Sequence, residues 1–171
     1  MSAIEQLIAK FSPGASEEEL VDLLKKIKGL SPEEREATYD KLFQKFVSAI
    51  EEAFTRGALA EAWDYVREAV IEFRVDEPIL GIRKTVTVSK IGDKTAVTPT
   101  PAEHPDAVSI LTLEALNYIL GSSDYREAGV RLLKCRRYPT ELRRLFWKTL
   151  IPAIEAYEKT LVLFYRKLGM F

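Results

Sequence analysis

Histidine and cysteine are almost missing from this 171-residue chain: there is one of each, His104 and Cys135. One Cys cannot form an internal disulfide, which fits a reducing, cytoplasmic setting. One His and one Cys cannot build a zinc site, and no Glu-x-x-His pair supports a di-iron bundle, so neither a metal nor a cofactor is expected. Gly-rich phosphate loops are absent as well, since no Gly-x-Gly or Gly-Lys-Ser/Thr occurs. No apolar run approaches the ~18 residues that a membrane span needs, and the first apolar stretch, from Ile4 to Phe11, is broken by Glu5, Gln6 and Lys10, unlike a secretory leader. Amides are also scarce: only Gln6, Gln44 and Asn117 occur, beside abundant Glu, Lys and Arg, a balance that leans toward a heat-loving source.

What is present is a globular composition with an uneven charge. Hydrophobic residues make up 47% of the chain and charged ones 30%, too apolar for disorder. The net charge of −1 hides two opposite halves: residues 1–77 carry 17 acidic and 10 basic side chains, residues 78–171 carry 9 and 15. Eight bases fall between Arg126 and Lys148 (Arg126, Arg131, Lys134, Arg136, Arg137, Arg143, Arg144, Lys148), interleaved with Tyr138, Phe146 and Trp147. Such a separation creates a field able to recruit a polyanion or an acidic protein surface.

Periodicity predicts a mainly α, single-domain helical array of about seven segments. Ser16 with Glu19, and Ser31 with Pro32 and Glu34, have the spacing of capping boxes. The first of these helices runs from about Glu17 to Lys28 and ends at Gly29 in a left-handed cap; the second carries Tyr39, Leu42, Phe43, Phe46, Val47, Ile50 and Phe54 on one stripe. A short helix over Ser2–Lys10 precedes them. Leu59, Ala62, Trp63, Val66, Val70 and Phe73 repeat the spacing and predict a helix from Ala58 to Arg74. Three more helices are expected over Asp106–Leu120, Ser123–Arg137 and Thr140–Leu168, the last kinked at Pro152.

One β-hairpin interrupts the array, inserted at about residues 82–99. Thr and Val alternate from Lys84 to Lys90, Gly92-Asp93 supplies a two-residue turn, and the outward count pairs Val88 with Val97 and Thr87 with Thr98. A Pro-rich loop over residues 99–105 follows and cannot be helical.

Three functional readings follow. In the first, Arg126, Lys134, Arg137, Arg143, Arg144, Trp147 and Lys148 form a basic face that contacts nucleic acid or an acidic protein, with Trp147 available to stack or to pack inside. In the second, His104, flanked by Glu103 and Asp106, is the general base of a small enzyme, against the plainer role of capping a helix at Pro105. In the third, the apolar run Thr160–Tyr165 and the end of the chain to Phe171 join two copies. A winged-helix arrangement is disfavoured because the segment before the hairpin is acidic and phosphate would repel it.

Overall fold

The protein is described from a computed structural model, covering residues 1–64, 66–123 and 127. Its N-terminal part is helical: α1 (Ala3–Lys10), α2 (Glu17–Lys28), α3 (Pro32–Thr55) and the short α4 (Ala60–Asp64). Local chemistry sets the first three starts. Ser31 and Glu34 form a reciprocal capping box and Pro32 opens α3, while Ser2 and Glu5 form a second box on α1. Ser16 accepts from the Glu19 amide at the start of α2, which has Glu17, Glu18 and Glu19 in its first turn and Lys25, Lys26 and Lys28 in its last, the order the helix dipole favours. Gly29 closes α2 in right-handed geometry (φ −71°, ψ −9°), not the left-handed cap that was expected. The next cap, Ser31, follows after a single residue, Leu30.

The apolar stripe of α3 is the spine of the core. Tyr39, Leu42, Phe46 and Ile50 are buried along it, and Phe46 stacks on Phe11 with ring centroids 6.0 Å apart. Lys45 holds α1 against this spine, its ammonium donating to the carbonyls of Ile8, Ala9 and Phe11 at 2.6, 2.7 and 2.6 Å. A cation on three C-terminal carbonyls satisfies acceptors that the helix itself leaves open. Lys45→Met keeps the stem and removes the charge, and is expected to lower the unfolding free energy by about 1–2 kcal/mol in chemical denaturation. An unchanged midpoint would show that water replaces the ammonium without loss.

The mainly α expectation is overturned between Glu68 and Thr112. A four-stranded mixed sheet is present, in the order β3-β2-β1-β4, built from β1 (Glu68–Glu77), β2 (Ile82–Ile91), β3 (Lys94–Thr98) and β4 (Ala107–Thr112). The described residues thus combine five helices with this sheet, and the fold is α/β rather than an all-α bundle of seven segments. The helix expected over Ala58–Arg74 ends at Asp64, and its last residues, from Glu68, belong to β1, an interior strand. Ten consecutive residues of β1 pair with β2 and six with β4, and these ladders outweigh the helix propensity of Glu and Ala. The helix expected over Asp106–Leu120 likewise divides. Its first half is β4, parallel to β1, and only Leu113–Leu120 (α5) is helical, started by the Thr112 hydroxyl accepting from the Ala115 amide.

The hairpin is therefore the outer half of a sheet rather than an isolated insert. Val88 lies opposite Val97 and Thr87 opposite Thr98, the register counted from the turn. Gly92 has φ +60° and Asp93 no positive φ, which makes the turn type II′ with glycine in its first central position. Side chains then sort by face. Ile71, Phe73 and Val75 share one face with Val86, Val88 and Leu111 and pack into the helical core; Glu72, Arg74 and Asp76 share the other with Thr85 and Thr87.

The Pro-rich link crosses this second face. It must, because β3 and β4 are opposite edges of the sheet, about 14 Å apart at ordinary strand spacing. The Thr87 hydroxyl donates to the Thr100 carbonyl at 2.6 Å, and the Ala102 amide donates to Glu72 at 3.0 Å. At the far side the Asp106 carboxylate accepts from the Val70 amide at 2.7 Å, and the Asp106 amide donates to the Val70 carbonyl at 2.8 Å.

A clamp at the other end of the core joins distant parts of the chain. Asn117, 1% exposed on α5, accepts from the Gly14 amide at 2.7 Å and donates to the Ala15 carbonyl at 2.9 Å. Gly14 has φ +93°, and a β-carbon there would sit 2.9 Å from the Gly121 backbone. Only glycine fits both demands.

Candidate functional site

The seven residues of the expected basic face, Arg126, Lys134, Arg137, Arg143, Arg144, Trp147 and Lys148, lie outside the described residues. So do Cys135 and the apolar run Thr160–Tyr165. His104 is described, and it is exposed, as is Glu103. Asp106 does not orient it, since that carboxylate is engaged by the Val70 amide, and no described hydrogen bond joins His104 to Glu103 or Asp106. Nor does His104 cap a helix, because β4 rather than a helix begins at Ala107. The acidic segment before the hairpin is itself strand β1, so the helix a winged-helix reading would place there does not exist.

Titratable groups inside the molecule serve its architecture. Glu72, buried on the second face, accepts from the Arg74 guanidinium at 2.6 Å and from Ala102, and the Arg74 contact holds its carboxyl below the usual range. Glu77 closes the β1–β2 turn by accepting from the Ile79 and Leu80 amides, while its burial pushes its pKa upward. The Tyr39 hydroxyl is buried without a hydrogen-bond partner, and burial, followed by the charges of Glu77 and Glu114, drives its pKa far up. Among the described residues no group of His, Cys, Asp or Glu is arranged to hold a metal. The groove between α1 and α2, of about 460 Å³, offers Lys10 and Lys26 beside Glu19 and Asp22, charges that offset one another toward an ionic ligand.

Among the described residues, one arrangement with open bonding capacity is the outer edge of β3. The Gly92 amide donates to the Arg67 carbonyl at 3.0 Å, which makes Glu68 and Ile91 a non-hydrogen-bonded pair and turns the backbone groups of Ile91, Ser89 and Thr87 toward β3. In β3 the partners Lys94, Ala96 and Thr98 therefore bond inward to β2, and the amides and carbonyls of Thr95 and Val97 point outward. No described hydrogen bond reaches those four groups. Their side chains are fixed from behind. The Trp63 indole donates to the Thr95 hydroxyl at 2.9 Å, and Lys90, 6% exposed, donates to the Trp63 carbonyl at 2.7 Å with its ammonium 5.8 Å from the indole centroid. On the other face Ala96 is exposed, and at the tip Ile91 is 70% exposed.

These residues were not singled out from the sequence. Trp63 was read as part of a helical stripe, and the edge is recognisable only once β1 is known to lie on the far side of β2. One local signal existed: Pro99 directly after β3, a residue at home where no neighbouring strand asks for its amide.

No family model matches this chain, and neither does any curated protein or solved structure.

Proposed function

We propose that this protein works by binding, and that the tract from Arg126 to Lys148 docks a nucleic acid through its phosphates. The observation that supports this is the partition of charge: residues 1–123 carry a net −7 and residues 124–171 a net +6. An acidic body repels a polyanion, so contact is confined to the cationic segment. Six of the eight bases in the tract are Arg, whose planar fork suits phosphate oxygens, and Trp147 adds a stacking surface. No base-reading motif accompanies them, so binding follows the backbone rather than the sequence. The lone cysteine fits a cytoplasmic setting; the alternative reading, a structural oligomer joined through the apolar run Thr160–Tyr165, rests on sequence alone. No helix among the described residues is long and apolar enough to cross a membrane.

The test is the ultraviolet absorbance ratio of full-length protein purified at low salt, before and after a high-salt wash. Co-purifying nucleic acid that the wash removes is the expected result. Clean protein that also fails to bind added oligonucleotides would contradict the proposal and turn the search to acidic protein surfaces.

A further inference from the structure

We propose that the edge of β3 is a self-association site, at which a second copy of this chain pairs antiparallel and joins the two sheets across a two-fold axis. Such pairing does not depend on nucleic-acid binding. Thr95 and Val97 each present one outward donor and one outward acceptor. A two-fold axis through Ala96 sets Thr95 opposite Val97 of the second copy and Val97 opposite its Thr95, so that each pair exchanges both of its bonds and every open group is satisfied. Ala96 then faces its own counterpart in a non-hydrogen-bonded pair, where backbones approach most closely and a small side chain is needed.

Neighbouring registers satisfy fewer of these groups. Sliding one way brings Pro99, which has no amide, opposite Thr95 and loses a donor; sliding the other way sets Val97 against Asp93 in the turn, beyond the strand. A further step in that second direction stacks Lys94 on Lys94. Lys94 at one end and Pro99 at the other are the features by which edges are kept from open-ended pairing. Here they leave a five-residue window that is complementary to itself, as a two-fold interface requires. The rigid backing by Trp63 and Lys90 holds Thr95 in place before the second copy arrives. Because the window is short, the dimer belongs to the small, transient class and its formation depends on concentration.

Sedimentation velocity of the full-length protein from low micromolar to several hundred micromolar concentration tests this, together with Ala96→Lys and Ala96→Glu. Ala96 is exposed, so neither change burdens the monomer, which circular dichroism checks. Wild type is expected to dimerise, each variant alone to weaken dimerisation tenfold or more by opposing like charges, and an equimolar mixture of the two to recover it. In a Cys135→Ser background, Ala96→Cys should cross-link into a covalent dimer under mild oxidation, since the close pair falls within disulfide reach. A wild type that stays monomeric throughout, or a dimer that both charged variants leave unchanged, would overturn the proposal.

Discussion

Asn117→Ala is expected to lower the unfolding free energy by about 3 kcal/mol, the largest stability loss anticipated for any single polar side chain in the described core. The side chain is 1% exposed and makes two bonds at once, one to the Gly14 amide and one to the Ala15 carbonyl. Truncation leaves both backbone groups enclosed without a partner, and an orphaned buried group costs about 1–3 kcal/mol. Asn117→Asp should cost a similar amount, because it keeps the acceptor, loses the donor and places a charge in the interior. The clamp has no slack to absorb the change. Gly14 lies so near the Gly121 backbone that even a β-carbon would clash, which leaves the loop between α1 and α2 little room to move toward α5 and refill the gap. Urea unfolding followed by circular dichroism measures the effect; a shift below about 0.5 kcal/mol would mean that water substitutes for the amide.

The second large effect concerns the proposed nucleic-acid contact. Reversing charge at both Arg143 and Arg144 to Glu is expected to weaken nucleic-acid binding on the order of 100-fold, equally for unrelated sequences. Two phosphate contacts are lost and two repulsive charges are added, while the side of the predicted helix bearing Leu142, Leu145 and Phe146 is untouched. Fluorescence anisotropy with two oligonucleotides of different sequence, at one fixed salt concentration, separates the possible outcomes. A loss confined to one sequence would point to base readout, and no loss at all would remove these two arginines from the contact.

How much of this was legible in the sequence depended on how local the deciding chemistry was. The capping residues Ser16 and Ser31 act within one turn, and the stripe from Tyr39 to Phe54 has no competing period, so α2 and α3 read directly. The Gly92-Asp93 turn sets its own register, and the Val88–Val97 pairing followed by counting. Strand β1 failed because two periods coexist in it. Val66, Val70 and Phe73 keep helical spacing, whereas Ile71, Phe73 and Val75 alternate with Glu72, Arg74 and Asp76 at the period of a strand. Pairing with β2 and β4 decided between them, and partners that distant leave no local mark. Strand β4 failed for a different reason: a parallel strand packed on a central one reads as a nearly continuous apolar run, here Val108 to Leu111, which merges with the helix after it. Thr112 was the available signal, a cap in the middle of the expected helix. As for the candidate sites, the exposed position of His104 and the engagement of Asp106 followed from the crossover of the Pro-rich link, which requires knowing that β3 and β4 are opposite edges.

The most direct test of the account is the salt dependence of nucleic-acid affinity for the full-length protein. A plot of log affinity against log salt should fall with a slope of about −4 to −5 on duplex DNA, as expected if roughly five of the eight clustered bases each displace counterions from a phosphate. A slope near zero, or no measurable affinity at low salt, would contradict the claim that the cationic segment is a phosphate-docking surface.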